Sequence, residues 1–294
     1  MSRLTCKERV TMDDLNKMKT PPPTATHFPL SHYEVLSEQL DQLDACGYEW
    51  KNLEIGVSHK NMRCFWIMDI ENPTVARDWN SVWGGRNSHD KTFALLFLAG
   101  LGIWICSNLQ VTGEIQVGSK HTKHIGDRLK RMVTRGLFEL TQFDAINEDR
   151  IAAYESYSLP EEEYEIIDME KPEVLVNGIW TEKRKFESSS FINDFVVRSM
   201  DRGVISPSSI KLVLDEWREP KFDTFEPRNA WSLSNAYTEA FKKYSNPHQI
   251  FNRGIALTSM IDELVGFEAP ALIPSPEDID IDVVKSRRRE TILN

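Results

Sequence analysis

The chain has 294 residues, 40% apolar, 27% charged and 10% aromatic, which is too hydrophobic for a disordered polymer and long enough for one large domain or two smaller ones. Its 45 acidic and 35 basic residues leave a net charge of −10. That balance excludes a generic nucleic-acid coat, because phosphate binding comes mainly from Lys and Arg releasing counterions, but it leaves room for a local basic site. Residues 1–27 form a polar arm without the apolar stretch of a secretory signal, and Pro21-Pro22-Pro23 favours an extended, solvated linker. From Ser31 to Ala45, Val35, Leu36, Leu40 and Leu43 recur at helical spacing. Ser31 and Glu34 make a capping box, and Gly47 stops the helix.

Trp50–Ser58 and Met62–Ile70 are rich in β-formers and are joined by His59-Lys60-Asn61, the pattern of a hairpin. Trp79–Gly85 adds a strand, and Phe93–Leu98 and Ile103–Cys106 predict two more with a turn over Ala99–Gly102. Their near-continuous apolar character predicts central strands covered on both faces, or an oligomer interface. The apolar run from Phe93 to Cys106 is shorter than the roughly 20 residues that span a bilayer, so no membrane segment is expected.

After Gly118 the period changes. Ile125, Leu129, Met132, Val133, Leu137 and Leu140 follow helical spacing through Phe143, and the opposite face is basic: Lys120, Lys123, Arg128, Lys130, Arg131 and Arg135 stand against one acid, Asp127. Between Glu139 and Glu173 the balance inverts to twelve acids and two bases, a local charge equal to that of the whole chain. Glu161, Glu162, Glu163, Glu165 and Asp168 are its densest part, expected to be a solvated connector. A short hairpin through Asn177-Gly178, with a type I′ turn, follows. Helices are expected over Phe191–Met200, after Ser206-Pro207, from Pro227 and from Asn246-Pro247. The fold class is therefore α+β, an antiparallel β-meander with a long basic helix followed by a helical region. Its parts are a flexible arm (1–27), a core domain (28–147), an acidic connector with a short hairpin (148–189), a helical region (190–267) and a flexible tail (268–294).

Chemistry-bearing motifs are sparse. His121-x-x-His124 offers two imidazoles, but zinc needs three or four ligands and no Cys, Asp or Glu stands at the right spacing, so an exposed histidine pair entering the basic helix is expected. Ser88-His89-Asp90 holds the residue types of a hydrolytic triad, yet sequence neighbours cannot point at one another as a triad requires; a turn with Ser88 or Asp90 bonding local backbone is expected. Gly84-Gly85 and Gly100-Leu101-Gly102 do not extend into a phosphate-cradling loop, and Asp278, Asp280 and Asp282 lack the frame of a calcium loop. The four cysteines, at 6, 46, 64 and 106, form neither a CxxC pair nor a dense framework, which suits a reduced, cytoplasmic protein with small buried thiols. No catalytic group, metal or cofactor is assigned. The basic stretch from Lys120 to Arg135 is the best nucleic-acid candidate, with Trp79, Trp83 and Trp104 as stacking surfaces; the competing reading is an amphipathic helix whose cations pair with the acidic segment.

Ser88-His89-Asp90 before an apolar strand, Cys106-Ser107-Asn108, Lys120-His121-Thr122 leading into a helix, and Asn235-Ala236-Tyr237-Thr238-Glu239 together resemble a domain family of unknown function found in phage and plasmid-like proteins. The resemblance implies a mobile-element origin and no particular activity. A helix ending in Gly47-Tyr48-x-Trp50, then a β-meander and a long basic helix, is similar in topology to single-strand annealing proteins of recombination. That likeness implies ring formation and phosphate contact by the six cations; the acidic 139–173 segment departs from the pattern. In size, charge and implied origin the chain also resembles phage anti-defence proteins, including those that enclose the Gabija nuclease complex.

The leading expectation is a non-enzymatic, self-associating phage protein, located in the host cytoplasm, that sequesters a host DNA-targeting defence complex and blocks its access to DNA with acidic surface. The alternative is a single-stranded DNA-binding or annealing protein using the basic helix.

Overall fold

In this computed structural model the described residues are 8–71, 79–103, 109–110, 112–113, 115–160, 173–176, 179–182, 191–225, 227–244, 247–273 and 281–293. Strands β1 (Glu8–Arg9), β2 (Glu49–Ser58), β3 (Arg63–Glu71), β4 (Trp79–Ser88), β5 (Leu95–Ile103) and β6 (Leu109–Gln110) follow one another across an antiparallel sheet, and β7 (Gln116–Ser119) also pairs with β5. The β2–β3 turn places His59, Lys60 and Asn61 in succession at positive φ, and a register shift between Lys51 and Glu54 marks a bulge at Asn52, whose amide donates to Asp69 Oδ2 at 2.7 Å. β5 is one continuous strand. The expected turn at Ala99–Gly102 is absent because these residues pair in register with Trp83, Val82, Ser81 and Asn80 of β4.

Alternation along β3 explains why the sheet is covered on both sides. Cys64, Trp66, Met68 and Ile70 enter the main core, while Phe65 and Ile67 join Val82 and Phe93 on the opposite face. The main core is closed by α2 (His32–Ala45) and by α3 (Ile125–Ser156). Ser31 caps α2 by accepting from Glu34 N at 3.4 Å, and Gly47 ends it at φ +73. Trp66 Nε1 donates to Gln39 Oε1 of α2 at 2.5 Å, and Gly136 of α3 leaves the space that the Trp83 ring fills.

Three expected boundaries move. The arm is ordered over its described residues: β1 pairs with β2, and α1 (Met12–Lys17) is opened by a reciprocal Thr11–Asp14 capping box and buries Leu15 in the core. α3 runs to Ser156, well into the expected connector. Its buried face continues through Ile146, Asn147, Arg150, Ile151 and Tyr154, with the Asn147 amide donating to Phe143 O and to it Arg150 Nη1 donating at 2.6 Å. The tail carries α8 (Ile281–Leu293), which docks on α3 with Val284 wholly buried.

Between these lie a hairpin of β8 (Glu173–Val176) and β9 (Ile179–Glu182), α4 (Phe191–Asp201), α5 (Ile210–Arg218), α6 (Ala230–Phe241) and α7 (Pro247–Val265). The turn at Asn177-Gly178 lies outside the described residues. α6 starts at Ala230 and not at Pro227, because Asn229 is its cap and accepts from Ser232 N at 2.8 Å. α7 ties the helical region to α3: Arg150, only 1% exposed at its side chain, meets Asp262 at 3.0 Å, and Tyr154 Oη donates to the same carboxylate at 2.6 Å.

Candidate nucleic-acid interface

The basic helix is set in place by four buried histidines. His27, His32, His89 and His121 gather around Asn87 at the end of β4. A Thr24–His27 turn, closed by Thr24 N donating to His27 O, presents His27, whose Nε2–H donates to His89 O at 3.2 Å. His89 Nε2–H donates to Leu30 O at 2.7 Å, His32 Nε2–H to Asn61 O at 3.0 Å, and His121 Nε2–H to Asn87 Oδ1 at 2.7 Å. The Asn87 amide in turn donates to Leu30 O and to His32 Nδ1, each at 2.9 Å. The rings of His32 and His89 stack at 3.8 Å with 4° between their planes.

All four imidazoles thus carry their proton on Nε2, committed to a fixed acceptor. Burial, reinforced by neighbouring histidines, pushes His32 down to about 3 and His121 down to about 4, and burial lowers His89 as well. His32, His89 and His121 are therefore neutral polar members of the staple near neutral pH. Among the described residues no group of three or more His, Cys, Asp or Glu is arranged to hold a metal ion.

This staple determines where the first two lysines go. His121 points inward and its carbonyl accepts Phe28 N at 2.9 Å, so Lys120 and Lys123 on either side of it face solvent. The chain then turns, with Ile125 N donating to Thr122 O, into α3. Arg128, Arg131 and Arg135 stand three and seven residues apart on one exposed face, spanning about 10 Å along the axis. Lys130, also exposed, lies toward α2, whose Gln42 amide donates to its carbonyl at 3.0 Å. All six cations reach the surface; the acids near them include Asp127 and Glu139, the latter taking Arg135 Nε at 2.9 Å. Glu139 is itself buried, its side chain 8% exposed, so it anchors Arg135 from below while the arginine, 56% exposed, still reaches solvent.

Other expected site features fall differently. His121 and His124 do not form an exposed pair, because His121 is buried on Asn87 while His124 faces solvent beside Asp127. Trp79 and Trp83 are core residues and offer no stacking surface; Trp104 lies outside the described residues. Ser88-His89-Asp90 is a turn, with Ser88 Oγ and Asp90 Oδ1 both accepting Thr92 N. Although burial works against it, hydrogen bonds from Thr92, Ser88 and Arg63 hold the Asp90 carboxyl well below the usual range. Cys46 and Cys64 are buried thiols, Cys46 pushed up to about 11 by burial. Glu161, Glu162, Glu163, Glu165 and Asp168 lie outside the described residues. Among the described residues no helix is long and apolar enough to cross a membrane.

The histidine staple itself was not anticipated. The signal for it was the pair of short motifs around His89 and His121, which the fold brings together on Asn87 although they lie far apart in the chain. No family model, curated protein or solved structure matches the chain.

Proposed function

We propose that this is a mobile-element protein that works by binding nucleic acid, laying the phosphate backbone along the exposed cations from Lys120 to Arg135. The observation that carries this reading is the row itself: three arginines on one face of a rigid helix, continued by two lysines that a buried neighbour turns outward. Phosphate contacts fix position and carry little sequence information, so binding is general rather than sequence-specific. Among the described residues Tyr157, at the far end of α3, is the exposed large aromatic, so base stacking is not what the row provides. That favours a duplex over the single strand of the annealing proteins.

Fluorescence anisotropy with labelled duplex and single strands tests this. Four to five phosphate contacts give a log–log salt slope of about −4, hence a loss of two to three orders of magnitude in affinity between roughly 50 and 200 mM salt. Lys130→Glu with Arg131→Glu abolishes binding. No binding of either strand form at micromolar protein overturns the reading, and tighter binding of single strands overturns the preference for a duplex. The other expected activity, occupying a defence complex's DNA site with acidic surface, would leave the chain inert toward DNA and bring down a stoichiometric host complex on co-expression.

A further inference from the structure

The chain's second basic run, Arg287-Arg288-Arg289, lies on α8, which packs against α3. Gln142 begins the junction: its amide donates to Ile273 O at 3.4 Å and its Oε1 accepts Ile273 N at 2.9 Å, holding the chain that leads to α8 against α3. α8 then settles with Val284 in the core and Arg288 spent on structure, its Nη2 donating to Gly47 O at 2.9 Å and its guanidinium 3.6 Å over the Tyr48 ring. Arg287 is partly exposed, with its guanidinium 4.4 Å over the ring of Phe138.

Phe138 stands one turn beyond Arg135 on α3. Phe138 and Gln142 continue the face that carries Arg128, Arg131 and Arg135, where α3 itself has no further cation. We propose that the nucleic-acid surface is composite: docking of α8 supplies Arg287 as the next cation of the α3 row, lengthening the track along which a duplex backbone is held. Stacking on Phe138 fixes the guanidinium plane and orients its donors for a phosphate. This inference rests on the binding reading above and adds to it a residue 152 positions beyond Arg135.

The test compares Arg128→Ala, Arg287→Ala and Arg287→Gln in the full chain, by anisotropy with a labelled duplex across a salt series. Arg287→Gln keeps the stem over Phe138 and removes only the charge; hydrogen exchange over 284–288 reports whether α8 stays docked. Arg287→Ala and Arg287→Gln are each expected to bind roughly five- to tenfold more weakly at low salt, with a salt slope shallower by about 1, as for Arg128→Ala, while Arg287→Lys, the charge-conserving control, retains the slope. Wild-type affinity and slope in Arg287→Gln, with Arg128→Ala impaired, overturns the composite surface and leaves the α3 reading standing. A wild-type chain that does not bind duplex overturns both.

Discussion

His121 donates its Nε2–H to Asn87 Oδ1 at 2.7 Å, and through that bond the loop before the basic helix is fastened to the end of a central strand. The Asn87 amide serves Leu30 O and His32 Nδ1 as well, so one side chain connects the segment before α2, the sheet and the entry to α3. Replacing it with an apolar residue removes three hydrogen bonds and strands a buried imidazole N–H. Asn87→Leu is expected to cost about 2–4 kcal/mol, read from the urea midpoint at constant m-value. A loss below about 0.5 kcal/mol would mean the staple holds nothing.

The same cluster gives the fold a dependence on pH. His32 and His121 are held at about 3 and about 4 when folded, against about 6.5 in the unfolded chain. As pH falls below about 6.5 the unfolded chain takes up protons that the folded one refuses. Stability from these groups is therefore complete above pH 6.5 and declines as pH falls, to about pH 4 for His121 and about pH 3 for His32. Urea midpoints at pH 7, 5.5 and 4.5 should fall in that order, and His32→Gln should flatten the decline; an unchanged slope in that variant would assign the effect to other groups.

Gly136 tests packing against propensity. In an isolated helix Ala outranks Gly by about 1 kcal/mol, yet a Cβ at 136 would lie 2.6 Å from Trp83 Cη2 and 3.1 Å from Cζ2, against a ring that is fully buried. Gly136→Ala should destabilise by about 1–3 kcal/mol and lower Tm, the opposite sign to the propensity expectation.

The Arg150–Asp262 pair joins α3 to the helical region with one partner almost wholly buried. Asp262→Ala leaves that cation without its carboxylate and takes from Tyr154 Oη the shorter of its two acceptors, the other being Thr258 O at 3.3 Å, a loss of about 3–5 kcal/mol by chemical denaturation. An effect under about 1 kcal/mol would show that solvent reaches Arg150 once the carboxylate is gone.

Much of the fold was legible in local patterns. The α2 periodicity, Gly47, the β2–β3 hairpin and the apolar face of α3 all need only neighbours to be recognised. What escaped was structure made by polar side chains. Hydropathy ends α3 near Phe143, because Asn147 and Arg150 count as surface residues; they are buried only because each finds its partner, Arg150 on α7 and Asn147 on Phe143 O. The histidines escaped for the same reason, since their acceptors are backbone carbonyls of Leu30, Asn61 and His89 that no composition reveals. Gly100 and Gly102 permit a turn as readily as a strand, and what decides between them is pairing with Val82 and Asn80 of β4, which no local pattern reveals. The basic face around α3 is visible in the spacing of its cations, all six of which are exposed; the contact of Arg287 with Phe138 is made across the chain and leaves no local signal.

The hydrogen bond from Arg288 to Gly47 O links residues 241 positions apart. A ribosome delivers the chain in order, so the corner formed by Tyr48, the end of α2 and Phe138 of α3 is made long before the helix that covers it. During that interval the sheet and α3 can assemble, but this apolar corner stays open to water and to other nascent chains. Pulse-labelling of stalled chains should see its protection arrive only once residues 281–288 are released, so that α8 covers a corner assembled well before it is made.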